Sequence, residues 1–220
     1  MTATVAVDSV NIIFDLDGTL IDSQPGIFES LKLALADSGF SNDLTIDQVP
    51  VGPPLQELIQ LITNCSDLDT INLIMTLFKR YYDTSCFKSS PLFHGVLDFL
   101  ISLHRAQFNL FIATNKRLTP TLKILEYLSI DSIFKDVYAV DSFDCRFSSK
   151  ASMLNALISC YSLGSNTIYI GDRYDDFLAA EANSIRFYFP KWGYTADHHL
   201  FSDNAFGIDF CSPFELYNLF

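Results

Sequence analysis

The sequence predicts an α/β protein in which a doubly wound parallel sheet carries an inserted helical segment. Short apolar runs bounded by polar or turn residues alternate with segments of helical periodicity, which is the pattern of a parallel sheet covered by helices. One long interval in the first half of the chain lacks this alternation and shows helical periodicity only. A chain of 220 residues is long enough for one such domain with an insertion.

Five apolar runs are candidates for buried parallel strands. Each has the length of a strand and is bounded by polar or turn residues. The five runs are residues 10–14, 108–113, 137–140, 167–170 and 185–189. Two helices between the later runs are predicted to begin near Pro120 and at Lys150, because apolar residues then recur at helical spacing.

The interval 22–91 predicts a helical cap domain inserted directly after the first strand. Its first helix begins near Pro25, a second follows Pro54, and Asp67 caps a third. We therefore predict a core domain of residues 1–21 and 92–220 and a cap domain of residues 22–91.

The composition indicates a packed, acidic protein. Hydrophobic residues make up 49% of the chain and charged residues 18%. The formal net charge is −12 and the chain contains no run of Lys or Arg, which excludes the usual means of binding nucleic acid. Such a protein needs a metal ion or a local basic group if its substrate is an anion.

The cysteines and the start of the chain indicate a soluble cytoplasmic protein. The five cysteines are odd in number and contain no CxxC pair, which is typical of reduced, mostly buried thiols. The first nine residues have no basic run, and no segment approaches about 18 consecutive apolar residues. We therefore predict no interaction with membranes.

Asp15 and Asp17 directly follow the first predicted strand. Side chains two residues apart on an extended strand share a face, so both carboxylates can point into one crevice. Two like charges so close require a cation, a proton or a reaction to stabilise them. The alternative is a solvated strand end followed by an ordinary turn at Gly18.

Polar residues suited to the same chemistry follow two other predicted strands. Thr114 and Asn115 follow the second, while Asp172 and Asp176 follow the fourth. In open α/β sheets, ligands bind at the carboxyl ends of the strands. These groups, with Lys150 from the start of a later helix, are therefore expected to gather in one crevice.

Together these residues suit phosphoryl transfer. Asp15 is the predicted nucleophile, and Asp17 is the predicted acid and base that protonates the leaving alkoxide and then activates water. A hard cation such as Mg²⁺ would neutralise both the carboxylates and the phosphate. The predicted metal-binding residues are Asp15, Asp172 and Asp17, the last through a nearby backbone oxygen. Asp176 is predicted to lie behind these ligands rather than on the metal itself.

The transferred phosphate is predicted to bind to hydrogen-bond donors around the nucleophile. These donors are the Thr114 hydroxyl, the backbone amides near Asn115 and Gly18, and the Lys150 ammonium. Thr114 and Lys150 are therefore counted with Asp15 and Asp17 as catalytic residues.

With these motifs the chain resembles the haloacid dehalogenase superfamily, and more closely its phosphoglycolate-phosphatase-like branch with a helical C1-type cap. The resemblance covers nearly the whole chain and rests on Phe14-Asp15-Leu16-Asp17-Gly18-Thr19, Thr114-Asn115-Lys116, Lys150, and Gly171-Asp172 with Asp176 in a GDxxxD pattern. Val51-Gly52-Pro53-Pro54-Leu55 resembles the cap loop that reaches over the active site. The resemblance implies a Rossmann-like core, Mg²⁺ and an aspartyl-phosphate intermediate.

Several charged neighbours of these motifs receive less specific predictions. Lys116 is expected to be a surface charge at the start of a helix, Arg173 to form an ion pair at the rim, and Asp175 to be solvated. Residues 48–55 contain no Lys or Arg, which leaves open whether the cap loop recognises an anionic or an apolar leaving group.

The predicted function is hydrolysis of a small phosphorylated metabolite by a Mg²⁺-dependent phosphomonoesterase. Two alternatives remain, a sugar phosphomutase of the same fold and a non-catalytic interaction protein that retains the fold. A dehalogenase of this fold would have no use for a second acid, so Asp17 argues against that activity.

Overall fold

The computed structural model describes residues 10–40, 43–143, 146–194 and 205–208. Six parallel strands form one sheet in the order β3-β2-β1-β4-β5-β6. The strands are β1 (Asn11–Phe14), β2 (Asn109–Thr114), β3 (Asp136–Ala139), β4 (Thr167–Ile170), β5 (Arg186–Pro190) and β6 (Ala205–Ile208). The predicted α/β fold is confirmed, and the five predicted strands are correct to within one residue at each end. The sixth strand was not predicted.

The described ranges contain seven α-helices. They are α1 (Gln24–Asp37), α2 (Leu55–Thr63), α3 (Leu68–Thr84), α4 (Val96–Arg105), α5 (Leu118–Tyr127), α6 (Lys150–Tyr161) and α7 (Tyr174–Ala182). Two helix starts are capped by side chains, because Asp67, as predicted, and Ser149 accept hydrogen bonds from the backbone amides of Thr70 and Ser152.

The two faces of the sheet bury different helices, which makes the fold doubly wound. Alternate strand residues such as Ile12 and Phe14 lie in one apolar cluster with side chains of α4 and α5. Ile13 and Phe111 lie in a second cluster with side chains of α6 and α7. Both faces are therefore covered, which explains why the strands are apolar at successive positions.

Helices α1, α2 and α3 all lie between β1 and β2, as the helical periodicity of this interval predicts. The chain enters and leaves this helical interval at neighbouring positions, where Ile21 and Leu92 form an antiparallel bridge. The Asp22 amide donates to the Pro91 carbonyl over 2.9 Å beside this bridge. We call residues 22–91 the cap segment; its status as a separate domain remains a prediction.

None of the helices in the described ranges is long and apolar enough to cross a bilayer. Three described cysteines carry free thiols, of which Cys86 is buried, Cys65 half-buried and Cys160 exposed. The expectation of mostly buried thiols is therefore not met at these three positions. Cys145 and Cys211 lie outside the described residues.

Truncation of Phe14 is expected to destabilise the fold strongly. Its ring is 1% exposed and makes edge contacts with Phe99 and Phe134, each at 6.4 Å between centroids. Phe14→Ala should lower the free energy of unfolding in urea by about 3–5 kcal/mol, because it leaves a cavity in the core. Leu61→Ala, at a side chain that is 64% exposed, is the control and should change it by less than about 0.5 kcal/mol.

Candidate active site

Strand register brings the predicted site residues to one edge of the sheet. Phe14 is paired with Ile112 on β2 and with Ile170 on β4. Asp15 therefore leaves β1 beside the ends of both neighbouring strands, close to Thr114 and Asp172. The strand order reverses at β1, because β2 lies on one side of it and β4 on the other. This is the position at which open α/β sheets bind ligands.

Three buried carboxylates meet around one ammonium group at this edge. Asp15, Asp172 and Asp176 each offer an oxygen atom, and the three atoms lie within 4.8 Å of one another. Lys150 Nζ donates to Asp15 Oδ1 at 2.5 Å and lies 2.9 Å from Asp176 Oδ1. Lys150 is 7% exposed, so it is not a surface helix start. We call these four residues the carboxylate cluster.

One oxygen of this cluster suits a metal ion. Asp172 Oδ1 accepts a hydrogen bond from the Thr19 hydroxyl at 3.4 Å, whereas Asp172 Oδ2 is buried and has no hydrogen-bond partner among the described residues. A buried carboxylate oxygen without a partner is costly, and a hard divalent cation with oxygen ligands would satisfy it. The donor set therefore fits a divalent cation.

Close backbone packing keeps Asp172 in place. Gly18 has φ +83°, and a β-carbon there would lie 2.3 Å from Asp172 Oδ2. Gly193 packs against the other side of the same turn, where a β-carbon would lie 2.3 Å from the Gly18 carbonyl oxygen. Both positions therefore require glycine, and the turn after β1 can approach Asp172 closely.

Burial and mutual repulsion shift the pKa values of the cluster. Burial raises the pKa of Asp15 to about 7, with a contribution from Asp176, although Lys150 opposes the shift. Burial, Asp15 and Asp176 raise the pKa of Asp172 well above its usual value. Burial disfavours the charged form of Lys150, but Asp15 and Asp176 outweigh it and raise the pKa of the ammonium group.

Asp17 lies outside the carboxylate cluster and has a cationic partner of its own. Lys116 Nζ donates to Asp17 Oδ1 at 2.9 Å and lies 4.6 Å from the ring centroid of Tyr82, a cap-segment residue. The expectation that Lys116 is a surface charge is wrong, because its side chain is only 10% exposed. A role for Asp17 in metal binding through a backbone oxygen remains a prediction.

The predicted phosphate-binding groups differ in their burial and in the hydrogen bonds that they already form. Thr114 is buried at the end of β2, and its hydroxyl oxygen accepts from the Lys116 amide at 3.2 Å. Asn115 is exposed at the same edge. The Gly18 amide already donates to the Ile21 carbonyl at 3.0 Å, so it could bind phosphate only if that bond broke.

Two functional positions were missed by the sequence analysis. The Tyr169 hydroxyl donates to Asp176 Oδ1 at 2.9 Å and approaches the Ala113 carbonyl oxygen at 3.3 Å, which fixes Asp176 beside Lys150. Tyr169 was treated as an apolar strand residue, although a buried tyrosine needs a partner for its hydroxyl. Thr19, the donor to Asp172, was part of a motif without an assigned role.

The lesser predictions have mixed outcomes. Asp175 is exposed, as predicted for a solvated residue. Arg173 contacts the cap segment, because its Nη1 donates to the Val51 carbonyl at 2.9 Å. The backbone of the cap segment is therefore hydrogen-bonded to the residue that directly follows Asp172.

Comparisons with known proteins agree with this arrangement. Residues 12–189 match the family model of the haloacid dehalogenase-like hydrolases. The chain is 30% identical to a phosphoglycolate phosphatase from Photobacterium profundum, over 88% of each chain. It is 27% identical to a 5'-nucleotidase from Pseudomonas aeruginosa, over 86% of each.

The fold also matches solved structures. A haloacid dehalogenase-like hydrolase from Streptococcus pneumoniae superimposes with a TM-score of 0.78 at 25% identity. The superposition covers 96% of this chain and 98% of that one. The similarity therefore includes the helices between β1 and β2 as well as the sheet.

The crowding of carboxylates predicts a pH-dependent stability in the absence of metal. Asp15 has a pKa of 3.8 in the unfolded reference and about 7 when folded, so the folded state binds the proton more tightly. Stability in EDTA should therefore fall as pH rises through this window, by at most about 1.4 kcal/mol per pH unit for each such group.

Asp172→Asn should reduce this loss of stability with rising pH, because it removes one of the carboxylate charges that repel Asp15. The measurement is urea unfolding at pH 5 and pH 8 in EDTA, with the exposed Asp175→Asn as the matched control. Equal losses of stability in the wild type and Asp172→Asn would contradict the assigned repulsion.

Proposed function

The chain belongs to the haloacid dehalogenase-like hydrolases and is a phosphatase of that family, and from this premise we propose a Mg²⁺-dependent phosphomonoesterase that acts through an aspartyl-phosphate on Asp15. The observation that carries the proposal is the position of the Asp15 carboxylate. It accepts a hydrogen bond from the Lys150 ammonium at 2.5 Å and lies in the carboxylate cluster with Asp172, whose Oδ2 has no hydrogen-bond partner among the described residues.

The residues that would hold the metal are Asp15, Asp172 and a backbone oxygen near Asp17. When bound, Mg²⁺ would offset the charge of the carboxylates and of the incoming phosphate. Asp176 has a different task, because its oxygens already bind Tyr169, Lys150 and the Arg173 amide. It therefore holds Lys150 in place from behind.

The chain supplies both the nucleophile and the groups that bind the phosphoryl oxygens. Asp15 attacks phosphorus through one carboxylate oxygen, and the bond from phosphorus to the alcohol oxygen breaks. The Thr114 hydroxyl and the Lys150 ammonium donate to the equatorial oxygens, where negative charge is concentrated in the transition state. Water then attacks phosphorus and releases Asp15 and inorganic phosphate.

Asp17 performs the proton transfers of both steps. It gives a proton to the leaving alkoxide in the first step and takes one from water in the second. Lys116 Nζ donates to Asp17 Oδ1 at 2.9 Å, so transfer of a proton from that oxygen to the leaving group requires this contact to loosen when substrate binds.

The substrate is a small phosphorylated metabolite. The curated relatives named above are a phosphoglycolate phosphatase and a 5'-nucleotidase, both of which act on phosphomonoesters. The cap segment would enclose the leaving group and exclude bulk water, so its side chains would select the alcohol.

Replacement of the nucleophile should abolish turnover without unfolding the protein. Asp15→Asn is expected to lower the kcat for p-nitrophenyl phosphate in Mg²⁺ by about a thousandfold or more, because the amide is a poor nucleophile. Circular dichroism and the kcat of Asp175→Asn serve as controls. Wild-type turnover by Asp15→Asn would remove Asp15 from this role.

Replacement of the acid and base should separate the two chemical steps. The p-nitrophenolate ion leaves without a proton, so Asp17→Asn should still release about one equivalent of it in a rapid first turnover. Later turnovers should be slowed by about a hundredfold or more, because no base activates water. Stopped-flow absorbance measures both phases, and equally slow first and later turnovers would contradict these roles.

A further inference from the structure

The guanidinium group of Arg173 joins the edge of the sheet to the cap segment. Arg173 lies between Asp172 and the first turn of α7, where its amide donates to Asp176 Oδ2 at 3.1 Å. Its Nη1 atom donates to the Val51 carbonyl at 2.9 Å. One side chain therefore links the backbone that carries two members of the carboxylate cluster to the cap loop, residues 48–55.

The cap loop is shaped to receive this guanidinium group. Gly52 has φ +117°, which residues with a side chain rarely adopt, and a β-carbon there would lie 2.2 Å from Arg173 Nη1. Two independent constraints therefore require glycine at this position. Because Gly52 has no side chain, the backbone of the loop lies directly against the guanidinium group. The Val51 carbonyl can therefore accept a hydrogen bond from Arg173 at the edge of the sheet.

The other end of the cap loop is held from within the cap segment. Gln24 Nε2 donates to the Val49 carbonyl at 2.9 Å, and Val49 is fully buried. Gln24 opens α1 and belongs to the same segment as the loop, so this contact fixes the loop to the cap helices. The contact from Arg173 has a different effect, because it fixes the loop to the sheet.

We propose that Arg173 is a positioning residue that docks the cap loop beside the carboxylate cluster and so determines how closely the leaving group is enclosed. The catalytic part of this inference rests on the proposed function. The cap loop lies within the length of one arginine side chain of Asp172, and it contains no Lys or Arg of its own. The charged hydrogen bond from Arg173 therefore attaches the loop to the edge of the sheet.

Hydrogen exchange of the 220-residue chain tests the docking without any substrate. Arg173→Ala should raise the exchange rate of amides in residues 46–54 by about tenfold, because a charged hydrogen bond is lost there, while amides of β4 exchange as in the wild type. Arg173→Lys keeps the charge and one donor and should give an intermediate rate. Asp175→Asn, from the same turn of α7, is the matched control and should leave the loop unchanged.

A substitution on the loop side tests the same contact from the opposite direction. Gly52→Ala should raise exchange in residues 46–54, and adding Arg173→Ala to it should cause little further increase, because both changes disrupt one contact. Wild-type exchange in this loop for Arg173→Ala, or full additivity of the two changes, would overturn the docking. If Arg173→Ala raises exchange throughout the chain, Arg173→Lys and Gly52→Ala decide the question.

Kinetics with two probes distinguish this inference from the proposed function. With 2-phosphoglycolate and p-nitrophenyl phosphate, Arg173→Ala should lower kcat/KM by about tenfold, mainly through a higher KM, because the leaving group is less closely held. Unchanged kcat/KM values with both probes would overturn the enclosure role. A wild-type chain that hydrolyses neither probe would contradict the proposed function, and hydrogen exchange would still decide whether Arg173 docks the loop.

Discussion

The structure depends on the pairing of one buried ammonium group with buried carboxylates. Lys150 contacts Asp15 and Asp176, and Asp172 lies beside them with one oxygen that has no partner in the described part of the chain. Buried charges are tolerated when they are paired, and one ammonium cannot neutralise three ionised carboxylates. Burial, together with this remaining negative charge, raises the pKa of Asp15 and Asp172, and the excess charge creates the demand for a cation on which the proposed chemistry rests.

Much of the surrounding fold holds these charges at the required spacing. Asp15 and Asp172 follow adjacent parallel strands in fixed register, and Lys150 begins a helix that packs on one face of the sheet. Tyr169 fixes Asp176 from the strand beneath it. The cluster is built from short, rigid elements, whereas the cap segment approaches it through a loop that Arg173 contacts. In the proposed function, this division separates the chemistry from the selection of the leaving group.

The sequence alone could predict the sheet and the positions of the charged strand ends, because strands buried on both faces are apolar at successive positions. It could not predict pairings that depend on packing between distant segments. Lys116 and Asp17 are 99 residues apart, and nothing near Lys116 distinguishes a buried ion pair from a solvated helix start. Tyr169 was concealed by the apolar run around it. The edge strand β6 was missed because its four residues include a glycine, which is uncommon inside strands.

The central claim is that these paired charges make Asp15 a nucleophile toward phosphorus. The most direct measurement is mass spectrometry of the wild-type protein after it has turned over p-nitrophenyl phosphate in Mg²⁺ and been quenched in acid within milliseconds. The account predicts one phosphoryl group on the peptide that contains Asp15, attached to that carboxylate. An actively hydrolysing enzyme whose phosphoryl group is found on another residue would contradict it.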